Sequence, residues 1–207
     1  MLLELLKKRY SCRNFLNKEI SNEIINYILE CARLSASGGN DQPWKFGVIT
    51  NSEIIQKISV AANINYEQKW VASAPLVIVL CTKILHKVDY VDVPWEQLHS
   101  VGLNRFPSMK DKILELDKDL YVIINMEEHQ TKIPGEHMVL AALEHGIYST
   151  WISSIDCERV GELVGIENYL VTNVIAFGYP GESKEVTTKK HLKDITFINH
   201  FDNKYDI

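Results

Sequence analysis

The sequence lacks the motifs by which several common enzyme classes are known. It has no G-x-G-x-x-G after a strand-like run and no G-x-x-x-x-G-K-[ST], so the usual loops for dinucleotides and nucleoside triphosphates are absent. It also has no G-x-S-x-G, the nucleophile turn of many serine hydrolases. A functional site must therefore be sought in other patterns.

Cysteine is sparse and carries no metal or disulfide pattern. The four cysteines are widely separated and form no C-x-x-C pair: Cys12, Cys31, Cys81 and Cys157. A zinc ribbon or a disulfide framework is therefore not expected, and a reducing cytoplasm is the default location.

Two Glu-His pairs suggest metal binding, but their spacing does not support it. Glu136-His137 and Glu144-His145 are adjacent residues, and neighbours on a helix point about 100° apart. Neither pair has the Glu-x-x-His spacing of carboxylate-bridged metal sites. We expect no metal site, and we expect His145 near a helix C-terminus.

Long apolar runs and an excess of positive charge are also missing. No apolar run approaches the ~20 residues that a membrane helix needs. In the opening MLLELLKKRY, the apolar stretch is too short and is interrupted too early by charged residues to resemble a secretory signal. The net charge is −5, whereas a general nucleic-acid binder is normally basic. We expect a cytoplasmic protein that binds neither membranes nor nucleic acids.

What is present indicates one globular domain over residues 1–207, with 46% hydrophobic residues to form a core. Apolar periodicity and capping residues predict helices and strands without strict βαβ alternation, which favours an α+β sheet wrapped by helices. The predicted helices are 1–8, one capped by Ser21 or Asn22, one capped by Asn51 or Ser52, 134–146 with Pro134 in its first turn, and 156–164 capped by Asp156; the predicted strands are 45–50, 75–82 and 171–177. A helix is also expected near 108–118, and the tail 195–207 has no clear period.

A cluster of cations follows the first helix. Arg9, Ser11 and Arg13 stand at every second position, which in an extended segment places all three side chains on one face. Two guanidinium groups and a hydroxyl on one face suit a phosphate, because arginine offers forked donors to anionic oxygens. A solvated basic loop is the alternative.

The stretch SASGGNDQPWKF at 35–46 joins a predicted helix to a predicted strand. Glycine can end a helix and Pro43 can prevent its restart, so a plain helix-ending loop is one explanation. A loop that approaches a ligand closely is the other.

Five stretches, in order, resemble motifs of the nitroreductase family. They are RYSCRNF at 9–15, SASGGNDQPWKF at 35–46, APLVIV at 74–79, HMVLAALEHGIYSTWISSID at 137–156 and VIAFGYPGESK at 174–184. The resemblance implies an α+β fold with a mixed central sheet flanked by helices, built as an intertwined homodimer. It implies FMN at the dimer interface, hydride transfer from NADPH or NADH to the flavin, and then transfer to a nitroaromatic, a quinone or a similar small acceptor.

The resemblance also implies roles for individual residues. Ser37, Gly38, Gly39 and Asn40 would line the flavin held by the other subunit, with Gln42 supporting the loop and Trp44 packed beneath it. Arg9 and Ser11 would bind the phosphate and ribityl end, with Tyr10 in place of the family's second arginine. Arg13 would lie near N1 and O2 of the ring.

The remaining implied contacts come from later in the chain. Backbone amides of Ser153 and Ser154 would face flavin N5 and O4, and Lys69 would contact the ring, with Asn65 the nearest candidate for the asparagine beside it. Lys189 and His191 stand where the family has a K-x-R that binds phosphate. No side chain is expected to be catalytic, because flavin N5 carries the chemistry.

Departures from the family pattern leave other functions open. Ser153-Ser154 replaces a frequent glycine pair, which narrows the space over N5. A non-enzymatic flavin-binding or storage protein is one alternative, and a specialised relative that performs reductive dehalogenation or flavin fragmentation is another. Region 86–131 has no match, and its aromatics Tyr90, Trp95 and Phe106 could form a lid over the flavin or a satellite core.

Overall fold

The computed structural model describes residues 2–62, 68–83, 115 and 128–202. The helix expected near 108–118 lies outside the described residues, apart from position 115, and so do Asn65 and the aromatics of region 86–131. Among the described helices, none combines the length and apolar character needed to cross a membrane.

A four-stranded sheet forms the centre of the described structure. Its strands are β1 (Trp44–Ile49), β2 (Leu76–Lys83), β3 (Tyr148–Ile152) and β4 (Tyr169–Gly178), in the order β1-β2-β4-β3. Strand β2 is buried along almost its whole length, as its continuous apolar run predicted. The α+β class is confirmed. In the part of the chain that is described, however, all strand pairings are antiparallel, and the expected mixed character appears only as an isolated parallel bridge between Ser11 and Ser149.

Helices cover both faces of this sheet. They are α1 (Leu2–Lys8), α2 (Asn22–Arg33), α3 (Ser52–Ala61), α4 (Glu128–Glu144) and α5 (Cys157–Leu163). One core contains apolar side chains of α2 and α4 against one face of the sheet. The other core contains side chains of α3, α5 and the N-terminal segment 10–15 against the opposite face. Three short 3₁₀ turns, Gly38–Asn40, Lys69–Ser73 and Leu192–Asp194, complete the described elements.

Side-chain caps set the starts of three helices where the sequence predicted them. Ser21 Oγ accepts from the Ile24 N–H, and Asn51 Oδ1 accepts from the amides at the start of α3 at 2.9 and 3.1 Å. Asp156 Oδ1 accepts from the Arg159 N–H at 2.9 Å. These bonds satisfy amides that a helix start leaves without partners.

Helix α4 begins earlier than predicted. It starts at Glu128, so Pro134 lies inside the helix and not in its first turn. An interior proline costs about 3 kcal/mol, because it removes one backbone hydrogen bond. Tertiary contacts offset this cost: Thr131 is fully buried, and its hydroxyl bonds to Thr172 at 2.7 Å and to Asn173 at 3.0 Å. The helix ends as predicted, beside His145 and with Gly146 at a φ of 70°.

Candidate functional site

The N-terminal segment presents its cations on one side, as predicted. Tyr10 and Cys12 are buried, whereas Arg9 and Ser11 are half-buried and Arg13 is exposed. This alternation is that of an extended strand, whose successive side chains point to opposite sides. The alternation agrees with the expectation that two guanidinium groups and a hydroxyl share one face.

Tyr10 lies on the opposite side from these cations. Its hydroxyl donates to the backbone carbonyl of Glu182 at 2.8 Å, and its ring lies against Tyr148 with centroids 4.6 Å apart. Desolvation by burial raises the pKa of this phenol, with smaller contributions from nearby groups. The Tyr10 side chain is therefore a core residue, and the place of Tyr10 among the flavin contacts stays a prediction.

The edge of the sheet holds this segment in place. The Cys12 N–H donates to the Ser149 carbonyl at 3.1 Å, and the Thr150 hydroxyl donates to the Cys12 carbonyl at 2.5 Å. These contacts fix the backbone that carries Ser11 and Arg13. A fixed backbone reduces the conformational entropy that an arginine loses when it binds an anion.

Arg13 meets a segment that is distant in sequence. Its guanidinium carbon lies 5.9 Å from the centre of the Trp70 ring, within cation–π range. Lys69 precedes that tryptophan in the Lys69–Ser73 turn and is exposed. The structure therefore brings Arg13 close to the turn that contains Lys69.

The turn 153–154, which follows β3, is tied to the same region by a residue that the sequence did not reveal. Gln68 is 3% exposed, and its side-chain amide donates to the carbonyls of Ala62 at 2.6 Å and Ser154 at 2.8 Å. An isolated glutamine between charged residues has no pattern that would identify it. Arg9, Ser11, Arg13, Lys69, Ser153 and Ser154 form what we call the cationic half-site.

The loop at 37–42 has an unusual backbone. Gly39, Asn40 and Gln42 have φ angles of 58°, 58° and 49°, in the left-handed region that costs energy for residues other than glycine. Ser37 Oγ accepts from the Gln42 N–H at 3.0 Å, and the Gln42 side chain donates to the Asn40 carbonyl at 3.2 Å. Gln42 thus supports the loop, as expected. Residues 37–42 are called the loop half-site below.

Contacts around the loop half-site fix its position on helix α4. Ser35 is buried, and its hydroxyl lies 2.7 Å from His137 Nδ1 on that helix. A Cβ added at Gly38 would lie 3.9 Å from the Gln130 side chain. Trp44 stacks on Phe46 with ring centroids 6.4 Å apart. The loop therefore rests on the face of the sheet that α2 and α4 cover.

Within one chain the two half-sites are far apart. The loop half-site adjoins the end of β2, where the Lys83 N–H donates to the Pro43 carbonyl at 2.8 Å. Ser11 of the cationic half-site bridges Ser149 of β3, at the edge of the sheet opposite β1, and nearby Phe15 lies 6.4 Å from the Trp70 ring. The strand order β1-β2-β4-β3 puts three strand spacings, about 14 Å, between β3 and β1, which the loop half-site precedes. The half-sites also lie on opposite faces of the sheet.

The tail residues stay predictions. Lys189 and His191 are exposed, and their chain follows Gly181, whose N–H donates to the Asn14 carbonyl at 2.8 Å. This contact brings the start of the tail beside the cationic half-site. Neither side chain is placed at a phosphate by this geometry.

Thiol and metal chemistry have little support among the described residues. Burial is the main cause that raises the pKa of the Cys12 and Cys157 thiols, and it raises the pKa of Cys81 to about 12. Neutral thiols are weak nucleophiles. No group of three or more His, Cys, Asp or Glu side chains that could hold a metal ion is found in the described ranges.

Comparison with known proteins identifies the family of this chain. Residues 6–179 match the model of the nitroreductase family. The chain is 36% identical over 204 residues to an oxygen-insensitive NADPH nitroreductase of Helicobacter pylori (strain J99), covering 94% of this chain and 95% of that protein.

Solved structures show the same fold. A nitroreductase family protein from Clostridium difficile 630 is 26% identical, with a TM-score of 0.68 over 96% of this chain and 98% of that one. The NADPH:FMN oxidoreductase from Vibrio harveyi, solved with NAD⁺, is 19% identical, with a TM-score of 0.71 over 98% of this chain and 78% of that one. The match over residues 6–179 and the full-length relative show that this chain belongs to the nitroreductase family.

Proposed function

We propose that this protein is an FMN-dependent oxidoreductase that accepts hydride from NADPH or NADH. The electrons then pass to a nitroaromatic, a quinone or a similar small acceptor. The observation that carries the proposal is that a chain of the nitroreductase family contains both a cationic half-site and a loop half-site with left-handed backbone.

The residues of the cationic half-site fit the anionic end of FMN. Arg9 and Ser11 share a face on a backbone that is bonded to the sheet edge, and both suit phosphate and ribityl oxygens. Arg13 is held against Trp70, from where its guanidinium group can face the flavin ring. The loop half-site offers glycines that let backbone approach a planar ring closely.

When bound, FMN supplies the hydride and electron transfer, and the protein supplies binding, orientation and electrostatics. The positive charge of Arg13 stabilises the negative charge that the ring gains on reduction, and the Trp70 contact limits where that charge can move. The loop at 37–42 and the turn at 153–154 exclude water and set the space above the ring. Ser153 and Ser154 replace smaller residues there and therefore restrict acceptor size.

We also propose that the active unit is a homodimer. In one chain the loop half-site precedes β1 at one edge of the sheet and the cationic half-site adjoins β3 at the other edge, so a complete site requires the loop half-site of a partner. Large apolar side chains are exposed in the single chain on α1 and in the tail: Leu2, Leu3, Leu6, Ile195, Phe197, Ile198 and Phe201. An obligate interface of roughly 2,000 Å² or more would cover them.

The visible spectrum of the purified protein tests the proposal. We expect yellow protein with about one FMN per chain, the ratio that a symmetric dimer with two equivalent sites gives. Anaerobic NADPH or NADH should bleach the flavin in a single turnover, and a nitroaromatic or quinone should restore the colour.

Two outcomes contradict this function. Colourless protein that takes up no added FMN removes the flavin site. Reduction by dithionite but by neither nicotinamide leaves a flavin protein without a hydride donor site, and then storage or specialised flavin chemistry explains the fold better.

A further inference from the structure

Gln68 is a buried polar residue whose contacts join separate parts of the cationic half-site. It directly precedes Lys69 and the tryptophan that holds Arg13. Its side-chain amide has two N–H groups, and these meet two backbone carbonyls, one at the end of α3 and one in the turn after β3. One amide therefore connects the Lys69–Trp70 turn with the Ser153–Ser154 turn.

The end of helix α3 acts as the fixed point of this connection. The last carbonyls of a helix have no partner inside the helix. Here the Ala62 carbonyl accepts from Gln68 at 2.6 Å, and the Ala61 carbonyl accepts from the Asp156 N–H at 3.0 Å. The turn 153–156 is thus anchored to α3 at two points, directly through Asp156 and indirectly through Gln68.

The Gln68 bond also sets the direction of one peptide group. The Ser154 carbonyl points to the Gln68 amide at 2.8 Å. A peptide group is planar and trans, so its carbonyl and the following N–H point in opposite directions. The Ile155 N–H therefore points away from Gln68. Gln68 therefore helps to set the direction of this peptide group within the turn.

We propose that Gln68 is a positioning residue that holds the 153–154 turn in the orientation that presents its backbone N–H groups to the flavin ring. This inference rests on the proposed function, because the 153–154 turn must face the flavin. An N–H donor favours the electron-rich reduced ring, whereas a carbonyl oxygen disfavours it. Gln68 therefore raises the reduction potential of bound FMN, although it does not touch the flavin.

The test compares the wild-type holoprotein with Gln68→Met, which has a similar length and no donor. Thr172→Val is the matched control, because it removes a hydroxyl bonded to Thr131 of α4 and to the Leu80 carbonyl, on the face of the sheet opposite α3 and Gln68. Three quantities are measured: amide hydrogen exchange in residues 153–156, the dissociation constant for oxidised FMN, and the midpoint potential of bound FMN.

We expect Gln68→Met to speed amide exchange in 153–156 about tenfold or more. We also expect reduced FMN to lose about tenfold more affinity than oxidised FMN, which for a two-electron couple lowers the potential by ~30 mV. The control should change neither the amide exchange of 153–156 nor the midpoint potential of bound FMN, even where its melting temperature falls. If Gln68→Met does not fold, Gln68→Asn, whose shorter side chain cannot span both carbonyls, is measured with the same expectation.

The outcomes separate the two proposals. A wild-type protein that binds no FMN overturns both. A wild type that binds FMN, with a variant of unchanged potential and unchanged exchange in 153–156, overturns the role of Gln68 alone. A variant that is only less stable, with the wild-type potential, shows a purely structural role and also overturns it.

Discussion

A mixed dimer offers a direct test of the separation between the two half-sites. One chain carries Arg9→Ala and Arg13→Ala, which removes the cations, and the other carries Gly39→Ile, a β-branched residue at a φ of 58°. Each variant alone should form dimers that bind little FMN, because both of its sites have the same defect. Coexpression with two different affinity tags allows the mixed dimer to be isolated.

The expected result follows from the position of the half-sites at opposite edges of the sheet, one beside β1 and the other beside β3. If each site combines the cations of one chain with the loop of its partner, the mixed dimer has one intact site and one doubly defective site. It should therefore bind about one FMN per dimer, against about two for the wild type, by the two-fold symmetry of the assembly.

The assay is FMN content from the visible spectrum, together with NADPH-dependent bleaching of the isolated mixed dimer. If both half-sites served the same flavin from one chain, every site in the mixed dimer would have one defect. A colourless mixed dimer that sediments as a dimer would refute our reasoning. Dimers of each variant alone, carrying both tags, are the matched controls.

Three further predictions concern the fold and its thiols. Gly135→Ala should lower stability by about 1–3 kcal/mol, because its new methyl would overlap the Trp151 ring; a melting temperature equal to the wild type would contradict this contact. Asp156→Ala should cost about 1 kcal/mol in urea unfolding, because it removes the cap of α5, whereas Asp156→Asn should retain most of that energy. Burial raises the pKa of the Cys81 thiol to about 12, so an aromatic disulfide reagent should leave it unlabelled at pH 8 in the native state and label it in denaturant. Above pH 9 the free energy of unfolding should fall, because the thiol loses its proton in the unfolded chain at a lower pH than in the folded one.

Much of the fold was predictable because its signals are local. The caps at Ser21, Asn51 and Asp156 and the glycine at 146 mark helix ends through hydrogen bonds to nearby backbone. The apolar run of β2 identified a central strand. Pro134 misled the prediction of where α4 begins, because propensity does not include the buried contacts of Thr131.

The candidate site was predictable only in part. Alternation in the segment 9–13 placed Arg9, Ser11 and Arg13 on one face, since that pattern depends only on extended backbone. The same alternation places the Tyr10 side chain in the core, and the place of Tyr10 among the flavin contacts still rests on the resemblance. The direction in which a side chain leaves the backbone decides which residues or ligands it can contact, and a motif match does not give that direction.

The sequence by itself determined the capped helix ends, the central strand and the family. Tertiary structure alone decided that Gln68 joins the turn at Ser154 to the end of α3, and that Arg13 meets Trp70. It also decided that the loop half-site and the cationic half-site lie at opposite edges of the sheet. The physical reason is that these relations depend on contacts between segments distant in the chain. Periodicity and capping act over a few residues and contain no information about such contacts.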